Sequence, residues 1–251
     1  MTSDTSPSDA PQSGRVGIFD LLRGFSVVSM VLFHLCYDLK FLGGVELAWF
    51  EPPLQDIWRC SISWTFLAIA GCMFTFSRSN LRRALQYGGV ALAIWVVTSV
   101  ASVDTPISFG IIYCMAACTL VTELLRRLGV TPRGYAAAGA LFVAFLALQG
   151  LSDGTVLFGT VVMPSEAYRS ELLSWLGLPG PGFSSGDYYP LLPYLLVYLL
   201  GVALGNAWRS RGYPEWARNA HFAPLSFVGR HALAIYVLHQ PLLLVLCGLL
   251  A

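Results

Sequence analysis

Charge is what this chain has least of. Asp, Glu, Lys and Arg make up 12% of its 251 residues, about half the share usual in a soluble domain. With 56% hydrophobic residues and a mean hydropathy of +0.65, too little polar surface is left to solvate a globule. None of the six cysteines forms a Cys-x-x-Cys pair, which excludes zinc-ribbon and thioredoxin-like signatures, and no metal site is read. Strict period-two alternation is missing, which excludes a β-barrel. There is no internal repeat and no pair of broken helices of the kind secondary transporters carry. Residues 1–14 contain neither Lys nor Arg, so the basic start of a signal peptide is absent. They read as a disordered polar tail, and 15–251 as one transmembrane domain.

What is present is a series of apolar stretches, each about 20 residues long and separated by short polar or Gly/Pro-rich links. Seven are counted, at about 17–39, 57–77, 82–101, 106–127, 134–151, 189–208 and 228–250, and each is long enough to cross a bilayer. The fold class is all-α, a polytopic transmembrane helix bundle. The linkers are asymmetric in charge. Arg78, Arg82, Arg83, Arg126, Arg127, Arg133, Arg209, Arg211, Arg218 and Arg230 fall on the side of Arg15, with only Lys40, Arg59 and Arg169 opposite. The positive-inside rule then puts the N-terminus in the cytoplasm and the C-terminus outside. The near-neutral total, +1, suggests no nucleic-acid partner. Cys36 and Cys60 fall near the outer ends of their helices, and a disulfide between them stays open. Gly201-x-x-x-Gly205 permits close helix approach, which reads as packing within the chain; a homodimer stays open as well.

The informative residues are the polar ones on the first segment. Asp20, Arg23, His34 and Asp38 point within an arc of roughly 60° on an α-helix. Ionisable groups inside a bilayer need a partner, a water-filled cavity or a job. Eleven residues separate Arg23 from His34, or ~16 Å of helix rise, so the cation lies nearer one mouth and the imidazole nearer the other. Asp38, four residues beyond His34, is within reach of a hydrogen bond to its ring. That would leave the other ring nitrogen free to take a proton. The plainer alternative is a buried polar cluster that only ties helices together. Asp20 and Arg23 lie one turn apart. They suit either phosphate recognition by a guanidinium or interfacial snorkelling.

The last segment presents Arg230, His231, Tyr236 and His239-Gln240-Pro241. His239, nearer the bilayer middle, is the better cavity-facing group, and Pro241 marks a candidate kink. At the outer end of the sixth segment, Asp187, Tyr188 and Tyr189 could bond sugar hydroxyls, or serve as an aromatic belt and helix cap. The long link 152–188 has the length of a lid or binding element.

Arg15 to Asp38, Trp64 to Gly71, Ile107 to Ile112, Asp187 to Pro190 and Pro224 to His239 together resemble the bacterial branch of the heparan-α-glucosaminide N-acetyltransferase catalytic-domain family. The Arg-x10-His spacing of Arg23 and His34 is also similar to the hallmark of membrane O-acyltransferases. The resemblance implies acetyl transfer across a bilayer, from acetyl-CoA on the cytoplasmic side to an amine or hydroxyl of an external sugar, without a metal. It implies His34 as base or acetyl carrier, with Asp38, and Arg23, Asp20 and Arg230 at the donor. Asp187, Tyr188 and His239 are set at the acceptor. Lysosomal members carry their active histidine farther along, and this chain has no histidine between 35 and 220. The implied acceptor is therefore a bacterial envelope glycan, and the implied location the bacterial cytoplasmic membrane. Two alternatives from other classes remain: a transporter or flippase using the same polar stripe, and a membrane haem protein with His34 and His239 as axial ligands.

Overall fold

The structure, a computed structural model, describes residues 16–102 and 104–250; the tail 1–14 and Arg15 lie outside them. The described chain is predominantly helical with almost no sheet. The long helices are α1 (Gly17–Phe41), α2 (Leu54–Cys72), α3 (Asn80–Ala101), α4 (Ile111–Arg127), α5 (Gly134–Ala147) and α6 (Leu191–Arg211). Two short helices, α7 (Glu215–Asn219) and α8 (Ala223–Arg230), precede α9 (Ala232–Leu250). Among the described residues five helices, α1, α2, α3, α5 and α6, are long and apolar enough to cross a membrane, α8 with α9 forms a sixth, broken candidate, and α4, at 17 residues, is not among them. This is an integral membrane protein.

Helical periodicity explains how α1 sits. Leu22, Phe25, Val28 and Leu32 are exposed on one side, a stripe suited to lipid. Phe19, Asp20, Val27, Met30 and Asp38 are buried on the other, following the three- and four-residue repeat of an amphipathic helix. The helices differ in how deeply they sit. Of its most apolar window, α6 buries 61% against 6% for α3, so α6 is the central post and α3 faces lipid. Tyr198, Val202 and Phe145 are fully buried at the junction of α2, α4, α5 and α6.

Two helix pairs approach closely enough to need glycine. On α6, a β-carbon at Gly201 would overlap the Ala68 carbonyl of α2. On α8, one at Gly229 would overlap the Asp20 carbonyl of α1, against Gly24. Small residues permit such backbone approach where no hydrophobic gradient drives association.

The seventh predicted helix, 228–250, is divided. Helix α8 ends at Arg230, α9 starts at Ala232, and the two are bent by 86°. The break falls at His231, whose backbone (φ −104°, ψ 17°) leaves the helical region. Helix α9 runs on through Pro241. The fourth helix starts at Ile111 and not near 106. The residues before it pair with the segment leading into α6: Tyr189 N–H donates to Phe109 O at 2.7 Å, and Gly186 N–H to Pro106 O at 3.2 Å.

The two ends of the bundle differ in chemistry. At one, Arg209 donates to Thr75 O at 2.8 Å, Asn206 to Pro132 O at 3.0 Å, and the rings of Phe19, Trp208 and Tyr213 pack against one another. The arginine-rich links thus meet there. At the other, the long link folds over the start of α4, with a small hairpin of β1 (Thr155–Val156) and β2 (Val161–Val162). All six cysteines are free, Cys36 and Cys60 included.

Candidate active site

Helix α1 carries its polar stripe inward. Asp20 and Asp38 are buried, and Arg23 and His34 are half-buried. The two half-buried groups open onto different cavities. The first, about 220 Å³, lies toward the arginine-rich end and is lined by Arg23, Met73, Arg83, Tyr87, Arg230 and Tyr236 among others. The second, about 70 Å³, lies toward the opposite end and is lined by His34, Arg59, Ser63, Asp187, Tyr189 and Tyr236. Phe66 and Tyr236 line both, so two aromatic side chains form the wall between them.

In the first cavity the guanidiniums are held by backbone and neighbouring side chains. Arg23 donates to Gly229 O at 3.0 Å, lies 3.7 Å from Asp20 and touches Met73 Sδ. Arg83 reaches the Tyr198 hydroxyl at 2.9 Å and the carbonyls of Met73 and Ala70. Arg230 is exposed at the mouth. Three cations around an apolar-floored pocket make a place for an anion with a nonpolar arm.

In the second cavity, His34 does not bond Asp38 as the helical spacing suggests. Both Asp38 oxygens instead accept from Gln240 Nε2, at 3.0 and 3.1 Å. A partner 202 positions away has displaced the one four residues away, because α9 lays Gln240 directly on the buried carboxylate. The ring neighbours of His34 are Phe33 and His239, the latter with centroids 4.9 Å apart. Two imidazoles in direct contact leave no room for a porphyrin between them, which removes the haem reading. Among the described residues no group of three His, Cys, Asp or Glu side chains could hold a metal ion.

Asp187 lines this cavity and accepts from Ile111 N–H at 3.4 Å, at the start of α4 rather than of α6. Burial pushes its carboxyl up to about 6, against the partial relief of that N–H and of Arg59. Tyr188 is turned away. Its hydroxyl donates to Ser174 O at 2.6 Å within the link, and Tyr189 takes the place at the cavity. Burial pushes Tyr188 up to about 12, so it stays a neutral donor. His239 is buried beside His34.

Two cavity residues escape the sequence reading. Arg59 reads there only as an external charge. Its spacing to Ser63, Phe66, Ala70 and Met73 places all five along one face of α2 and its short 3-10 continuation. That pattern is the available signal. Arg83 reads as a linker cation, and nothing local marks it, since its partners come from α2 and α6.

Fold and site together define a polytopic helical membrane protein with ionisable side chains gathered in two internal cavities. Residues 15–241 match the family described as heparan-alpha-glucosaminide N-acetyltransferase, catalytic, and the chain belongs to that family. It is thus a membrane protein of an acetyltransferase family. No curated protein and no solved structure gives a significant match.

Proposed function

We propose that this protein moves an acetyl group from cytoplasmic acetyl-CoA to an amine or hydroxyl of an envelope sugar on the far side of a bacterial cytoplasmic membrane. The observation that carries this reading is the stacking of the two cavities. One is rich in guanidiniums, the other holds an imidazole, and they share the Phe66–Tyr236 wall. The positive-inside rule directs the arginine-rich end to the cytoplasm, where acetyl-CoA is a polyanion. The larger cavity is smaller than the ~300–1,000 Å³ usual for a fully enclosed ligand. It suits the thioester arm, with the nucleotide phosphates left at the mouth near Arg230 and Arg23, the latter backed by Asp20.

At the far cavity, His34 takes the proton of the acceptor as its nitrogen or oxygen attacks the acetyl carbon. The carbon–sulfur bond breaks, and the proton passes on to the departing thiolate. In the two-step variant, a His34 nitrogen attacks first, the carbon–sulfur bond breaks and coenzyme A leaves as the thiolate; the acetylated ring then gives its acetyl group to the acceptor, whose proton ends on the thiolate. Arg59, Asp187 and Tyr189 then face the acceptor, while Asp38 holds α9 against α1 through Gln240.

The test is single-turnover incubation of the protein in vesicles with radioactive acetyl-CoA and an envelope-glycan extract, read by mass spectrometry. Wild type is expected to add one acetyl mass to a glycan, and His34→Ala to lose that activity while remaining folded and inserted. Label on the protein that requires His34 selects the two-step route. Glycan movement across the vesicle without any acyl donor, and no acetylation, would show a transporter and overturn the proposal.

A further inference from the structure

His239, the residue beside the Gln240 that captures Asp38, is left in an unusual state. Its Nδ1 lies 2.5 Å from Tyr236 O. A carbonyl can only accept, so that nitrogen carries the ring proton, and Nε2 is left as a bare lone pair. That Nε2 is buried and has no hydrogen-bond partner. A buried acceptor left without a donor is costly, and such groups in native structures call for an explanation.

The ring nearest to it is His34, with centroids 4.9 Å apart and planes at 57°. An in-line N–H···N contact of about 3 Å between two imidazoles puts their centroids about 5 Å apart. The ring separation observed matches the one such a bond requires, and turning the rings to bring the two nitrogens into line would complete it. The nearest carboxylate on the same helix as His34, Asp38, already accepts from Gln240 at both oxygens. The other polar groups around it are Arg59, which can only donate, and the Asp187 and Tyr189 side chains across the cavity.

We infer that His239 is the positioning residue for His34, accepting the His34 N–H on its Nε2 and so fixing which His34 nitrogen offers its lone pair to the reaction. This rests on the proposed acetyl transfer and adds to it. Either route makes His34 cationic, by taking the acceptor's proton or by bonding the acetyl carbon, and in both the remaining N–H of that cation points at His239 Nε2. The neutral imidazole does here what a carboxylate does beside a catalytic histidine elsewhere. It does so without placing a second ion in the bilayer, where a lone charge is costly.

The experiment uses the full chain in vesicles, comparing wild type, His34→Ala, His239→Ala and His239→Gln. His239→Ala is expected to lower kcat about 100-fold with the KM for acetyl-CoA unchanged. His239→Gln, whose amide oxygen can accept the same N–H, is expected to recover at least about 10-fold of that loss. A second measurement needs no turnover. Imidazole ¹⁵N spectra should show His34 as a single tautomer in wild type and as an exchanging mixture in His239→Ala. An unchanged kcat in His239→Ala, equal damage by Ala and Gln, or a His34 tautomer indifferent to residue 239 would each overturn the inference. Full acetyl transfer by His34→Ala would instead overturn the parent reading of His34. The two failures are therefore distinguishable.

Discussion

Replacing Asp187 with Asn should make the protein more stable at neutral pH, and the amount follows from where the carboxyl sits. Its ordinary value is 3.8, and burial beside the second cavity lifts it to about 6. Below pH 3.8 both folded and unfolded chains hold the proton, so the group contributes no pH dependence. Between 3.8 and about 6 the unfolded chain releases the proton while the folded one keeps it, so stability falls as pH rises. Above that window the folded chain carries a buried carboxylate, and the loss is complete. Across the whole window the loss amounts to about 3 kcal/mol, a ceiling because the side chain is not wholly sealed from the cavity. Asn keeps an oxygen for the Ile111 N–H and carries no charge, so it escapes the loss. For a chain of this length the ceiling is a gain of about 6–12 °C. The assay is thermal unfolding in micelles from about pH 4 to 8, plotted as variant minus wild type, which cancels every other titrating group. The difference should grow across the window and flatten above it. Parallel curves, or a difference that shrinks as pH rises, would refute the reasoning.

Arg23→Ala should raise the KM for acetyl-CoA about 10–100-fold, the worth of a charge-assisted bond; an unchanged KM would take Arg23 out of the donor site. Phe66→Ala should join the two cavities and raise transfer from butyryl-CoA relative to acetyl-CoA by about 10-fold or more, measured as a kcat/KM ratio. Gly229→Leu should cost at least about 2 kcal/mol, since its side chain meets the Asp20 backbone and not a yielding side chain. Denaturant unfolding would read this, and a cost below about 0.5 kcal/mol would contradict the close α1–α8 approach.

Legibility from the sequence tracks the range of the forces involved. Transmembrane helices are specified by local hydropathy and length, and α1, α2, α3, α5 and α6 are visible as such, with ends off by a few residues, while α4 is visible as a helix but at 17 residues is not among the candidate spans. The break at His231 is not visible. Arg230 and His231 stand near the start of an otherwise apolar run, which reads locally as a polar helix end rather than as a break, and the chain turns there where Gly229 seats on the α1 backbone. The polar stripe of α1 is legible from one-helix geometry, but its partners are not. Asp38 belongs to Gln240, and Arg83 to Tyr198, across 202 and 115 positions. At Tyr188 and Tyr189 a strand-like register decides which phenol faces the cavity, and the pairing with Phe109 that sets this register is again remote in sequence.

The wall of Phe66 and Tyr236 bears on how such a protein spares the cell's energy supply. The cavities adjoin at two side chains that line both, so on the proposed acetyl transfer a passing two-carbon unit needs a torsional swing of those rings, while the helices stay clamped at their glycine seats. Between swings, hydrated ions meet hydrocarbon instead of a water column. A catalyst that reaches both sides of the bilayer can in this way leave the electrochemical gradient undrained.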